Sequence, residues 1–163
     1  MTIQELFKIG MKRDIPLLME DAKGGIILNL GAGNQSIDGA TAFDWPDWDA
    51  EHGFIPCPDN SVSQIHAYHF FEHLRDPRII LAECQRVLKK SGHINIVVPY
   101  YKSNMAFQDL DHKSFFTEDT WKNLFSKEYY SKGKIDWEFK IGLNIIIGIN
   151  ERNLCLMTQL IKE

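Results

Sequence analysis

Cysteine is scarce in this chain: three in 163 residues, Cys57, Cys84 and Cys155. An odd number with no C-x-x-C spacing excludes a disulfide framework and a cysteine-ligated zinc knuckle, and fits reduced thiols in a cytoplasmic protein. Long hydrophobic runs are also missing. Apolar stretches such as Ile26 to Leu30 and Ile94 to Val98 reach about five residues, against the roughly 20 that a membrane-spanning helix needs. The start, Met1-Thr2-Ile3-Gln4-Glu5, has neither the basic opening nor the apolar run of a secretory leader. Positive charge is in deficit, with 18 Lys+Arg against 22 Asp+Glu and a formal net charge of -4, so no general basic footprint favours nucleic acid as a partner. No repeat, low-complexity tract or Pro/Gly/Ser linker divides the chain, and a single domain over residues 1–163 is expected.

What is present reads as alternating strands and helices. Ile3, Leu6, Phe7 and Gly10, then Leu17 and Leu18 beyond Pro16, suggest two short helices over residues 2–20. Gly25 to Leu30 is an aliphatic run broken by Gly31-Ala32-Gly33, the pattern of a strand buried on both faces that feeds a tight turn. Ala40 to Trp45, with Asp44 near its end, is a candidate second strand. Ser63 to His69 is a third, introduced by the turn residues Pro58-Asp59-Asn60-Ser61. Asp76 as N-cap, Pro77 at the first position, Lys89 and Lys90 in the last turn and Gly92 just beyond define a helix over 76–90. His93 to Val98 then forms a strand, which makes one right-handed parallel crossover. Thr117 is expected to cap a short helix that turns Trp121, Leu124 and Phe125 inward. Alternation at Ile135, Trp137, Phe139 and Ile141, and again at Leu154, Leu156, Thr158 and Leu160, predicts two closing antiparallel strands.

A glycine turn at the carboxyl end of a first parallel strand is where an open α/β sheet lets a nucleotide-like ligand approach the backbone. The third small residue of the dinucleotide fingerprint is replaced here by Ser36. Other motifs add to the turn. Leu28-Asn29-Leu30-Gly31-Ala32-Gly33-Asn34, Ile55-Pro56-Cys57-Pro58-Asp59-Asn60-Ser61, Phe70-Phe71-Glu72-His73-Leu74, Arg86-Val87-Leu88-Lys89-Lys90-Ser91-Gly92-His93 and Asp111-His112-Lys113-Ser114-Phe115-Phe116-Thr117 occur in that order. Together they resemble the class I S-adenosylmethionine (SAM) dependent methyltransferases, in particular their small type 11 members, over residues 25–127.

The resemblance implies a Rossmann-like α/β fold, a mostly parallel sheet with an antiparallel C-terminal strand pair. It implies SAM as cofactor, with Gly31, Ala32, Gly33 and Asn34 at its methionine end and Asp44 on the ribose hydroxyls. Glu51 or Asp49 would meet the adenine amino group, and His69 and Phe70 would line the adenine or methionine side. Two departures follow from spacing. Asn34 to Phe43 is too short for the usual helix, and Trp45 to Phe54 too short for a helix plus a third strand, so the sheet is expected to be trimmed at that edge. A second copy of the chain could complete the pocket there.

Methyl transfer is an in-line displacement driven by positioning, with proton removal needed only for acceptors that carry a proton. His112 is the candidate base, with a loop-packing role as its alternative; Tyr100, Tyr101 and Asp111 are candidate acceptor-side residues, and Asp109 lies near them. His69-Phe70-Phe71-Glu72-His73 fits the H-x-x-E-H pattern of inverted zinc proteases, which requires one continuous helix through both histidines. A strand end at His69 argues against that, and no metal site is expected. Asp47-Trp48-Asp49 is read as a solvated turn, the lysines at 113, 122, 127, 132 and 134 as a solvated face, and Val98-Pro99-Tyr100-Tyr101 not as a base-flipping motif. The expected function is methyl transfer from SAM to a small or exposed acceptor, the alternative a non-catalytic SAM-binding partner or regulatory subunit.

Overall fold

The computed structural model describes residues 25–126, 135–148, 150 and 152–163. The helices expected over residues 2–20 lie outside the described residues. The elements follow in the order β1 (Ile26–Leu30), β2 (Ala40–Phe43), β3 (Val62–Tyr68), α1 (Pro77–Val87), β4 (Leu88–Pro99), α2 (Asp119–Phe125), β5 (Phe139–Gly148) and β6 (Leu154–Lys162). They form one six-stranded sheet in the order β2-β1-β3-β4-β6-β5. β2, β1, β3 and β4 run parallel; β6 pairs antiparallel with β4, and β5 with β6. This is the expected Rossmann-like sheet with its antiparallel C-terminal pair.

The trimmed edge is real. Residues 31–39 cross from β1 to β2 with turns and no helix, closed by Gln35 N–H to Ala32 O (3.0 Å) and Ala40 N–H to Ile37 O (3.0 Å). Ile37 is buried within the second of two apolar clusters, beside Tyr68, Val97 and Met157. Between β2 and β3 the only helical element is the short 3-10 turn Ala50–His52. The larger cluster lies on the other sheet face, where Leu28, Leu30, Ile65, Ile94, Ile96 and Leu156 meet α1 through Ile80, Leu81, Cys84 and Val87, and α2 through Trp121. Burial of this order supplies most of the folding drive, at about 25 cal/mol per Å² of apolar surface.

Two helix boundaries differ from expectation. α1 stops at Val87, so Lys89, Lys90 and Gly92 belong to β4. The carbonyls of Arg86 and Val87 accept from Asn60 N–H (3.0 Å) and Ser61 N–H (2.8 Å), and Leu88 O accepts from Lys162 Nζ (2.9 Å). Tertiary partners thus satisfy the helix end, and Leu88 already pairs with Val62 of β3. α2 starts at Asp119 with Glu118 at the N-cap position and no side-chain cap there. Thr117 sits one residue earlier, its Oγ1 accepting from Asp119 N–H (3.2 Å) and its own N–H donating to Thr120 Oγ1 (2.9 Å). Trp121 is buried as expected, while Leu124 and Phe125 are partly buried.

The second sheet face carries a buried polar row. Gln64 Nε2 lies 2.9 Å from His66 Nε2, and His66 Nδ1 lies 2.6 Å from Tyr68 Oη. Since the amide donates, His66 accepts at Nε2 and donates from Nδ1, which is the neutral imidazole. Burial, aided by nearby His93, pushes the His66 pKa down to about 4. Cys57, Cys84 and Cys155 are all free thiols. Among the described residues, no helix is long and apolar enough to cross a membrane.

Candidate cofactor cleft and active site

The carboxyl ends of β1, β2 and β3 converge on a cleft of about 310 Å³ lined by Gly31, Asp44, Trp45, Trp48, Asp49, Ala50, Glu51, His69, Phe70, His73, Leu74 and Lys113. A second hollow of about 300 Å³ lies between α1 and α2, around Leu81, Phe116, Trp121 and Leu124. Only the first lies at the strand ends where open α/β sheets take ligands.

Gly31 turns the chain out of β1 with φ +66, and a Cβ there would fall 2.5 Å from Phe70 Cδ2. Glycine is therefore demanded twice, by the left-handed backbone and by the ring packed against it. Its N–H donates to Phe43 O (2.8 Å), which ties the turn to β2. One residue past that strand end, the Asp44 carboxylate accepts from Gly33 N–H at one oxygen and from Trp45 N–H (2.8 Å) at the other. Asp44 O accepts from Trp48 N–H (2.8 Å), and Trp48 Nε1–H donates to Phe54 O (2.6 Å). These bonds set the Trp48 ring in a stacked arrangement on Phe70, centroids 6.1 Å apart at 29°. The result is a carboxylate beside a glycine turn and a flat aromatic wall.

Both candidate acids reach the cleft, with different commitments. Glu51 Oε1 accepts from Arg75 N–H (3.0 Å) and stands 3.7 Å from Lys113 Nζ. Asp49 caps the 3-10 turn, its Oδ1 accepting from Glu51 N–H (2.9 Å), and its Oδ2 lies 3.3 Å from His52 Nδ1. His69 directly follows β3 with φ +52, its Nδ1 3.2 Å from Glu72 Oε1. Burial opposes charge on that imidazole, but hydrogen bonds to Cys155 and Glu72 outweigh it and hold its pKa above the ordinary histidine value.

The other sequence candidates sit elsewhere. Ala32 is buried under the turn and Asn34 is exposed; neither is among the cleft-lining residues. Tyr100 is buried, its hydroxyl donating to Glu118 Oε2 (2.9 Å), and burial with that contact pushes its pKa up to about 12. Tyr101 packs edge-on against Tyr100, and Asp111 lies exposed in a turn, its N–H bonded to Asp109 Oδ1 (2.9 Å). His112 packs edge-on against the cleft-lining His73, ring centroids 4.9 Å apart, and is not itself among the cleft-lining residues. The cleft residues that sequence reasoning missed are Trp45, Trp48, Ala50, His73, Leu74 and Lys113. Trp48 belongs to the Asp47-Trp48-Asp49 stretch expected to be a solvated turn, and its signal is an aromatic ring three residues before Glu51.

Comparison with known proteins agrees with this fold. A family model described as a methyltransferase domain matches residues 29–96. No curated protein matches the chain in sequence. Among solved structures, a chain from the Haloferax volcanii complex between the Trm112 methyltransferase activator and a methyltransferase is similar at 13% identity and a TM-score of 0.65, covering 98% of this chain and 92% of that one. A SAM-dependent methyltransferase from Archaeoglobus fulgidus is similar at 18% identity and TM-score 0.59, covering 98% and 94%. One from Aquifex aeolicus is similar at 18% identity and TM-score 0.55, covering 99% and 97%. The residues present fit SAM: a glycine cradle that a Cβ would fill, a carboxylate at the second strand end bonded to it, and an aromatic wall beside them. The chain thus carries a methyltransferase-domain match over residues 29–96 and shares the fold of SAM-dependent methyltransferases of solved structure, with its sheet trimmed at the edge beyond β2.

Proposed function

We propose that this protein transfers a methyl group from SAM to a small or exposed acceptor. The observation that carries the reading is the Asp44 carboxylate set against the glycine turn, opposite the Trp48–Phe70 wall. SAM supplies a sulfonium-bound methyl group. Asp44 takes the ribose hydroxyls through the lone pairs left free by its two backbone contacts. The turn receives the methionine carboxylate on the backbone N–H groups of Ala32 and Asn34, those of Gly31 and Gly33 being bonded to Phe43 O and Asp44. The adenine lies against the wall made by Trp48 and Phe70, and Glu51 accepts from its amino group. His69 lines the sulfur side.

His112 is the proton acceptor when the substrate is a hydroxyl or protonated amine. Its Nδ1–H donates to Ala106 O (3.1 Å), leaving the Nε2 lone pair available. Release of S-adenosylhomocysteine across a panel of alcohol, phenol, amine and carboxylate acceptors tests the reading. His112→Ala is expected to lower turnover about 100-fold on hydroxyl acceptors without altering SAM affinity. Unchanged turnover refutes the base role, and no release with any acceptor refutes transfer by the isolated chain.

A second reading is a SAM-binding subunit that works with a partner. It is favoured by the position of Tyr100, Tyr101 and Asp111 outside the cleft. The partly exposed edge strand β2, only four residues long, also leaves an open sheet border. The Haloferax volcanii neighbour is itself found with an activator. Transfer that begins only when a partner or second copy is added would support this reading.

A further inference from the structure

The 3-10 turn Phe71–His73 and the loop that returns over it, residues 109–114, are locked together. Lys113 N–H and Ser114 N–H both donate to Glu72 O (2.7 and 3.0 Å), and Ser114 Oγ donates to Leu74 O (2.8 Å). This brings one carboxylate oxygen of Glu72 and one ring nitrogen each of His73 and His112 within 4.8 Å of one another. We propose that Glu72, His73 and His112 form a binding site for a divalent first-row transition-metal ion, with zinc as its first probe.

Three observations carry the proposal. Glu72 is 1% exposed, yet only one of its oxygens is engaged, by His69; Oε2 is buried with no hydrogen-bond partner. A buried carboxylate oxygen left unmatched is costly, and a cation beside it removes the cost. The Nδ1–H of His112 is fixed on Ala106 O, which aims the remaining lone pair at Nε2 as metal-bound histidines require. Asp109 Oδ2 lies 3.9 Å from that nitrogen and offers a further oxygen.

Two imidazoles and a carboxylate are a borderline donor set that suits zinc better than magnesium or calcium. A tetrahedral ion at about 2.0–2.1 Å wants its ligand atoms roughly 3.4 Å apart, so the widest pair must close by at most about 1.4 Å, within reach of the two imidazole torsions. The H-x-x-E-H string does not form a helical zinc pair here, because His69 directly follows β3 and bonds Glu72; His73 keeps its place and His112 from the loop takes that of His69. His73 also lines the cofactor cleft, so the ion would sit in its wall. Coordination and proton acceptance use the same His112 nitrogen and are therefore alternatives. The site does not depend on methyl transfer, and a failed SAM titration leaves it untouched.

The test is zinc titration of the metal-stripped full chain by calorimetry with elemental analysis, together with the absorption spectrum of the cobalt-loaded protein. The expected result is one ion per chain, visible d–d bands of a nitrogen- and oxygen-ligated cobalt, and at least tenfold weaker zinc binding in Glu72→Gln and His112→Asn. Melting temperature and far-ultraviolet circular dichroism report whether each variant is folded; if Glu72→Gln does not fold, His112→Asn decides. Failure to bind zinc stoichiometrically overturns the proposal. So does zinc binding whose affinity and cobalt spectrum are unchanged by His112→Asn.

Discussion

At the scale of single residues, the site rests on conformations that few side chains permit. Gly31 and Gly39 both hold positive φ, +66 and +73, but a Cβ at Gly39 would meet open space whereas one at Gly31 would strike the Phe70 ring. Gly39→Ala should therefore lose about 1–2 kcal/mol of stability from backbone strain alone. Gly31→Ala should lose more and also displace Phe70, weakening SAM binding; denaturant unfolding and calorimetry on both variants measure the difference. His66 gives a prediction in pH. Its pKa is 6.5 in the unfolded chain and about 4 when folded, so between those values the unfolded state binds more protons. Stability is then full above pH 6.5 and falls as the pH drops toward about 4. His66→Asn should make that slope shallower, with His93, also lowered by burial, retaining part of it. Urea midpoints between pH 4 and 7 test this.

Among the elements, α1 shows what sequence reveals and what it hides. Its start was legible because Asp76-Pro77 is a local signal: the Asp76 carboxylate accepts from Arg78 N–H (3.1 Å) and from the Arg78 guanidinium. Its end was not legible, because Asn60, Ser61 and Lys162, distant in sequence, occupy the carbonyls where the helix stops. Arg86 on the same helix takes over part of the role of the missing edge elements. Its guanidinium donates to Ile55 O (2.8 Å), Cys57 O (2.9 Å), Asp59 Oδ1 (2.7 Å) and Glu83 (2.7 Å), fastening the loop before β3 to α1. Arg86→Lys keeps the charge but not the fork, and should cost about 2 kcal/mol. A thermal melt unchanged by that substitution would contradict the stapling role.

For the whole molecule, the lesson concerns which contacts are local. Gly31 and Asp44 could be picked out because strand ends and glycine turns write themselves into short stretches of sequence. Trp48 could not, since its orientation depends on a hydrogen bond to Phe54 O and on a ring presented by another strand end. Tyr100 and Tyr101 were misleading for the same reason: position after a strand says little about whether a hydroxyl faces a cleft or, as here, Glu118. The trimmed edge was predictable from residue counts alone, because chain length bounds what can fit between two strands. What remains of the fold keeps the strand ends, the glycine turn and the acid after β2 in one cleft.

The central claim is that this reduced sheet still holds SAM through Asp44. Calorimetric titration of the full chain with SAM and with S-adenosylhomocysteine, repeated on Asp44→Ala, tests it most directly. The account predicts saturable binding at one site, weakened tenfold or more by the substitution, about 1.4 kcal/mol, in a variant that still melts cooperatively. A folded protein that binds neither molecule, or binds them equally well without the Asp44 carboxylate, would contradict it.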